Sequence, residues 1–554
     1  MPAKKPNLSS AIKLIIPLFS MFALIGNAAL LATPVVKTEH VWVVFKTHLD
    51  IGYTDRIDAV LRKYREPMMD AALKAVEASR EFPPEKRFSW TLAGWPLTHV
   101  LGPQQDPARR ARIEQAIREG AIAFHALPWK RSGMVENPDT PGQFLFAENV
   151  PANGYKSYQP DAFEASPTSE FPTSIDIETP FYKATFDLKR GGIASLVDRL
   201  TGREMVDLAS PYALGQFLHE RFDNAQMLAF HAAYGRGRYS WPKGNLPEDA
   251  NAIRLTPPAW RLTVKHTVTA DIATLTATDP LGLADSFTLI FTLYHQQPGM
   301  DVEWHVTNKT ADPRPEGGWL CFPFNVAQPR FLLGRLGGPI DPAKDIVAGA
   351  NRYYFCLNSG LTITGQDGSG VGLCPLDSPC VSLGAPGLWK FSLDDMPRQP
   401  SAFVNLYNNE WNTNFPEWQG GSCSSRVRLL PAAKNSAIAE ALVVPSWEAR
   451  VPLLAAAANG PARTLPQIQS GLTLSRKGVL LTAFGPNPDG AGTVLRVWEQ
   501  AGVTDKLTVT LPGYFRSAAP VNLRGEKLGE PVPIESGALT FPLKAYAPAS
   551  FILQ

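Results

Sequence analysis

Phe45-Lys46-Thr47-His48-Leu49-Asp50-Ile51-Gly52-Tyr53-Thr54-Asp55 follows the apolar, β-branched run Val41-Trp42-Val43-Val44 and leads into a helix-like segment. If the strand continues to Asp50, its period of two puts His48 and Asp50 on one face. An imidazole and a carboxylate projecting together from a strand's C-terminal end can ligate a divalent ion, but two ligands are half a site. The same spacing fits a His-Asp hydrogen bond at a strand end, or solvated loop residues. Asp55 reads better as the N-cap of the following helix than as a third ligand.

The pattern around this stretch alternates strand and helix. Val41–Lys46 reads as a buried strand, and Ile57 to Arg80 has helical periodicity in Val60, Leu61, Tyr64, Met69, Leu73 and Val76, which Pro67 should break or kink. Arg87–Leu92 reads as a second strand. Asp106-Pro107 is a cap with proline at the first helical position, opening a helix through Ile113 and Ile117 that stops at Gly120. Ala121–Phe124 is a third strand, ending at His125. This β-α-β-α-β order opens a parallel α/β sheet or barrel.

After Trp129 the texture changes. Short β-rich runs recur between turn signals: Phe181–Leu188, Trp260–Val268, Ser286–Tyr294, Met300–Val306, Ala402–Leu406, Ser425–Leu430 and Gly478–Phe484. Thr493–Glu499, Lys506–Leu511 and Ala538–Pro542 continue the series. The expected fold class is therefore multidomain: a partial α/β, barrel-like segment over 38–129, a connector over 130–160, a large β-sandwich over 161–465 and a small β-sandwich over 466–554.

Bulk properties agree with a globular chain of several domains: 554 residues, 44% hydrophobic, 19% charged. The net charge of +2 and the lack of a long basic run argue against nucleic acid as a partner. Residues 1–32 read as a signal peptide, with Lys4, Lys5 and Lys13 as the positive start before an apolar core from Leu14 to Leu24. An N-terminal anchor is the competing reading, weakened by Pro17, Gly26 and Asn27. The expectation is a secreted or periplasmic protein with no stable membrane insertion after cleavage. The five cysteines all lie in the second half. Cys374 and Cys380 could close a small loop, but the set reads mainly as buried small apolar residues, and its spacing is not that of a zinc ribbon.

The strand ending in His48-Leu49-Asp50-Ile51-Gly52-Tyr53-Thr54 resembles the N-terminal metal-binding motif of family 38 glycoside hydrolases, the α-mannosidase-like proteins, and in particular a bacterial DUF5054-type branch. The resemblance continues in Gly120-Ala121-Ile122-Ala123-Phe124-His125-Ala126-Leu127-Pro128-Trp129, in Glu148–Tyr155, in Gly191–Asp198, and in Tyr407-Asn408-Asn409-Glu410-Trp411-Asn412-Thr413-Asn414-Phe415-Pro416-Glu417-Trp418. It implies an α/β barrel, a helical segment and a mutarotase-like β-sandwich. It also implies zinc held by His48 and Asp50 together with a further Asp, which is the nucleophile, and a second His. Hydrolysis would then retain configuration through a glycosyl-enzyme intermediate.

This chain departs from that pattern between His125 and Glu148, where the family carries its nucleophile, acid and second histidine. Glu136, Asp139, Glu148 and Asp161 fall in or near the short connector, and nothing in their spacing sets two carboxyls about 5 Å apart across a sugar. No catalytic residue is assigned. His125 ends a strand beside the first and is a candidate for the same cleft, or an ordinary strand-end histidine. Asn409, Trp411, Asn412, Asn414 and Trp418 combine amides with indole faces, a mixture that suits sugar hydroxyls and C–H faces. The same residues would also suit a sandwich loop that satisfies its own backbone and fills the core. Asn308-Lys309-Thr310 is a glycosylation sequon by pattern only. Three functions follow: a glycan-acting hydrolase homologue impaired or inactive in this form, a non-catalytic carbohydrate-binding sandwich, or an internally shortened gene product.

Overall fold

The computed structural model describes residues 57–83, 87–88, 90–91, 99–102, 104–119, 121–123, 127–165, 169–170, 175–235, 251–387, 391–409, 420–457, 466–487 and 490–554. All belong to one compact unit, Phe45–Gln554. The Val41–Lys46 strand and the signal segment lie outside the described residues.

The N-terminal part keeps the expected alternation. Ile57–Lys63 and Met69–Ala78 are α-helical, and Tyr64–Met68 between them is a π-turn containing Pro67. A proline has no N–H to give and crowds the preceding turn, so the helix widens there instead of ending. Asp106 caps Pro107–Arg118, its Oδ1 accepting the Arg109 N–H at 2.8 Å. Trp90–Thr91 and Ile122–Ala123 pair in parallel, Trp90 opposite Ile122. Tyr64, Met69, Leu73, Val76, Trp90, Ile113 and Ile122 bury one small core between helices and strands. Among the described residues the parallel pairing stops at this two-stranded sheet, so no barrel is formed by them. The 130–160 stretch holds more than a link: Arg131–Glu136 and Gln143–Val150 pair antiparallel, and Glu164–Ala165 adds a third strand.

The main body is an antiparallel sandwich of a ten-stranded and a six-stranded sheet. Ser286–Tyr294 shows why it forms: its residues alternate half-buried and buried, and Phe287, Leu289, Phe291 and Leu293 all face inward. Met300, Val302, Trp304 and Val306 do the same on the neighbouring strand Met300–Lys309. Each such side chain contributes roughly 1.5–3 kcal/mol when fully buried. Opposite them, the six-stranded sheet sets Gln216–Arg221, Glu316–Pro323 and Ser401–Asn408 side by side. All eight residues of Glu316–Pro323 are buried. One face of this sheet meets the ten-stranded sheet through Phe217, Leu320 and Phe322; the other packs Leu218, Trp319, Cys321 and Phe403 against Met227 and Phe230 of the helix Asn224–Gly235.

A second core, Leu481, Val497, Leu507, Val509, Leu539, Phe541 and Phe551, lies between a three-stranded and a five-stranded sheet of the C-terminal residues. Thr493–Glu499 lies within it at the expected bounds. The cysteines divide: Cys321 and Cys374 are buried as expected, and Cys356, Cys380 and Cys423 are not. Cys374 is buried on Gly370–Pro375 of the ten-stranded sheet, and Cys380 begins Cys380–Leu383 of the six-stranded sheet, directly opposite Cys356. Cys380 is therefore placed to pair with Cys356, and Cys356 is exposed instead of filling a core.

Candidate functional site

The candidate site grows from three registered strands. His219 of Gln216–Arg221 lies opposite Gly318, and Gly318 lies opposite Tyr407. A Cβ on Gly318 would run into the Tyr407 ring. The missing side chain lets that ring lean across the middle strand, so that the Tyr407 hydroxyl reaches His219 Nδ1 at 2.9 Å. Burial drives the Tyr407 phenol well above its usual range, so it keeps its proton. The O–H therefore donates to Nδ1 of a neutral imidazole. This assignment turns Nε2–H toward Glu316, whose Oε2 is 3.8 Å away.

Glu316 opens the middle strand, two residues before Gly318, so both project toward the ten-stranded sheet. That sheet supplies Lys309, the last residue of Met300–Lys309. Its ammonium contacts Glu316 Oε1, gives a hydrogen bond to the Thr310 carbonyl at 3.0 Å, and sits 4.9 Å from the Tyr407 ring centre. Beside this pair, Asp312 takes Arg221 at 2.6 Å and both nitrogens of the Arg314 fork at 2.9 Å. Arg221, Lys309, Asp312, Arg314 and Glu316 line a cleft of about 210 Å³ with Gly282, Leu283, Thr310, Ala311 and Pro313, and His219 and Tyr407 are buried behind Glu316 and Lys309.

The electrostatics follow from enclosure. His219 is fully buried and faces the cations Arg221 and Lys309, and its pKa falls to about 3. Burial pushes the Glu316 carboxyl above the usual carboxylate range, against the pull of Lys309. Asp312 moves the other way; its burial is outweighed by the Arg314 and Arg221 contacts, which hold it low. Perturbed groups gathered at a cleft mark a functional candidate. Both cleft carboxylates are tied to cations, which leaves neither as a free general acid. The arrangement offers donors and acceptors suited to hydroxyl groups.

Of the residues read from the sequence as functional, Asn409 is the one described, directly after Ser401–Asn408. It is 1% exposed. Its Oδ1 accepts the Glu316 N–H at 2.7 Å, and its Nδ2 donates to the carbonyls of Asp312 at 3.2 Å and Arg314 at 3.1 Å. Asn409 thus clamps the 312–316 segment to the end of Ser401–Asn408. His48, Asp50, His125, Trp411, Asn412, Asn414 and Trp418 lie outside the described residues. His219, Lys309, Glu316 and Tyr407 escaped the sequence reading. Tyr407 opens the motif already singled out, and Lys309 is the central residue of the sequon, so both were within reach.

Zinc was expected on His48 and Asp50 with partners elsewhere. Among the described residues, no group of three or more His, Cys, Asp or Glu side chains could hold a metal ion. Four of the described histidines have acidic or phenolic partners: His219 has Tyr407, His266 and His295 have Asp271, and His305 has Glu303. No chemical step is routed through zinc.

No protein-family model matches the sequence, and no curated protein matches it. Solved structures do. The chain is similar to an alpha-mannosidase from Enterococcus faecalis V583, with 14% identity and a TM-score of 0.51 over 77% of this chain and 48% of that one. It is similar to a protein in glycosyl hydrolase family 38 from Enterococcus faecalis, with 12% identity and a TM-score of 0.53 over 77% of this chain and 51% of that one. The fold is thus of the family 38 α-mannosidase kind, and the chain spans about half the length of each. At a TM-score of 0.28, a galactose mutarotase-like protein from Lactobacillus casei covers 47% of the chain with 13% identity.

Proposed function

We propose that this chain is a carbohydrate-active, glycoside hydrolase-like protein of the α-mannosidase plan, acting on glycans outside the cytoplasm. The shared fold over 77% of the chain carries the reading. The polar cleft lined by Arg221, Lys309, Asp312, Arg314 and Glu316 supports a sugar as the ligand. Hydrolysis in this form is impaired. The ion-paired state of Asp312 and Glu316, the carboxylates of the described cleft, favours this second part, because a retaining mechanism needs an untied acid and a nucleophile.

The test uses the full chain, with and without added zinc, against aryl α-mannosides and an array of mannose-containing glycans. Glycan binding with little turnover is expected. Trp411→Ala and Trp418→Ala should each weaken that binding. Zinc-dependent turnover abolished by His48→Ala would replace the impaired reading with an active metalloenzyme. Absence of both binding and turnover would remove the carbohydrate reading.

A further inference from the structure

Cys356 and Cys380 are Cα partners across the antiparallel pair Tyr354–Cys356 and Cys380–Leu383. The next rung is the Leu357 N–H to the Pro379 carbonyl at 2.8 Å. That pattern makes Cys356 and Cys380 a non-hydrogen-bonded pair, the kind whose Cα atoms stand roughly 4.5 Å apart with side chains closest. Such a separation lies within the roughly 4.4–6.8 Å that a disulfide spans. Tyr354–Cys356 is the outer strand of the six-stranded sheet, and Cys356 is exposed while Cys380 is half-buried.

We propose that Cys356 and Cys380 form a thiol–disulfide exchange site, converted reversibly to a cross-strand disulfide by a low-molecular-weight disulfide of the glutathione class. The Cys356 sulfur, as thiolate, attacks one sulfur of the small disulfide. The S–S bond breaks, a mixed disulfide forms on Cys356, and one small thiolate leaves. Cys380 then gives up its proton and attacks Cys356 Sγ, expelling the second small thiolate, one of the two thiolates taking the proton. The protein loses two electrons and the small disulfide gains them.

The roles are unequal. A hydrogen bond from the Cys380 thiol, aided by Arg335 and Arg450, brings Cys356 down to about 6, so the exposed sulfur is the attacker. The same contact and its burial push Cys380 up, so it stays protonated while Cys356 makes the first attack. Cys321 and Cys374 are buried and pushed upward by desolvation, and lack access. The cross-link would close a crossover: the chain leaves the six-stranded sheet at Cys356, adds Leu361–Thr364 and Gly370–Pro375 to the ten-stranded sheet, and returns at Cys380. A bond across that loop restricts the unfolded chain and raises Tm.

The experiment incubates the reduced full chain with oxidised glutathione, quenches in acid, alkylates and maps peptides. Two of the five thiols should disappear, with a Cys356–Cys380 peptide that dithiothreitol releases. Cys380→Ser should instead accumulate glutathione on Cys356, and Cys356→Ser should react at least about 10-fold more slowly. Retention of all five thiols by the unmutated chain, under exchange that oxidises a reference dithiol, overturns the proposal. So does a disulfide joining any other pair. Because the first readout needs no variant, a misfolded mutant cannot hide the answer.

Discussion

Lys309 and Glu316 meet as an ion pair inside the protein wall, with 6% and 2% of their side chains exposed. Each comes from a different sheet, so the contact ties the ends of both across the sandwich. Desolvating two charges costs several kcal/mol per ion, offset only while both partners and their added hydrogen bonds remain.

Lys309→Met should therefore cost about 3–5 kcal/mol, because it strands the Glu316 carboxyl in a site that already resists its charge. Lys309→Met combined with Glu316→Leu should recover most of the loss. Urea unfolding of the single and double variants measures both. A single variant within about 0.5 kcal/mol of the parent would show that the pair is solvated.

His219 gives the fold a pH dependence of definite sign. In the unfolded chain it takes a proton near 6.5, but in the fold only near 3, because burial and the facing Arg221, Lys309 and Arg314 outweigh Asp312, with neutral Tyr407 on the other nitrogen. Between those values the unfolded state holds the extra proton. Stability is full above pH 6.5 and declines as pH falls toward 3, by up to about 4 kcal/mol. Denaturant midpoints from pH 7 to 4 should fall, and His219→Gln should flatten that slope. An unchanged slope in the variant would place the titration elsewhere.

Gly318→Ala tests the registered row. The new methyl meets the Tyr407 ring, which must swing away and release His219 Nδ1. Overpacking of this kind costs about 1–3 kcal/mol. Tyr407→Phe removes the hydroxyl alone and should cost less, about 1 kcal/mol. If the alanine variant is as stable as the parent, the ring does not lie over Gly318.

Much of the sandwich was legible because its strands each hide one face. Ser286–Tyr294 and Thr493–Glu499 match their expected bounds, since alternation of apolar and polar residues mirrors alternation of burial. Asp106-Pro107 announced its helix through a local cap. Glu316–Pro323 and Gln216–Arg221 were missed for the opposite reason. They are covered on both faces, by the ten-stranded sheet and by Asn224–Gly235, so Glu-Gly-Gly-Trp-Leu-Cys-Phe-Pro carries no period to read. The site was hidden with them. His219, Glu316 and Tyr407 become neighbours only through strand register, and a lysine or glutamate in sequence reads as surface until its partner is known.

Asn409 is the residue on which sequence and structure meet. It was singled out as a sugar contact, yet its amide holds the Glu316 N–H and the carbonyls of Asp312 and Arg314. Asn409→Ala leaves these three backbone groups, two of them buried, without their side-chain partner and should cost about 2–3 kcal/mol. Asn409→Asp keeps an acceptor for Glu316 but sets a carboxylate against two carbonyl oxygens, so it should be at least as damaging at neutral pH. Protonation should partly rescue it, because a neutral acid can donate to one carbonyl. Unfolding of both variants at pH 7 and pH 5 separates the clamp from a ligand contact. A clamp lowers stability in the absence of any sugar, whereas a ligand contact would leave the unliganded protein unchanged and reduce only binding to mannose-containing glycans.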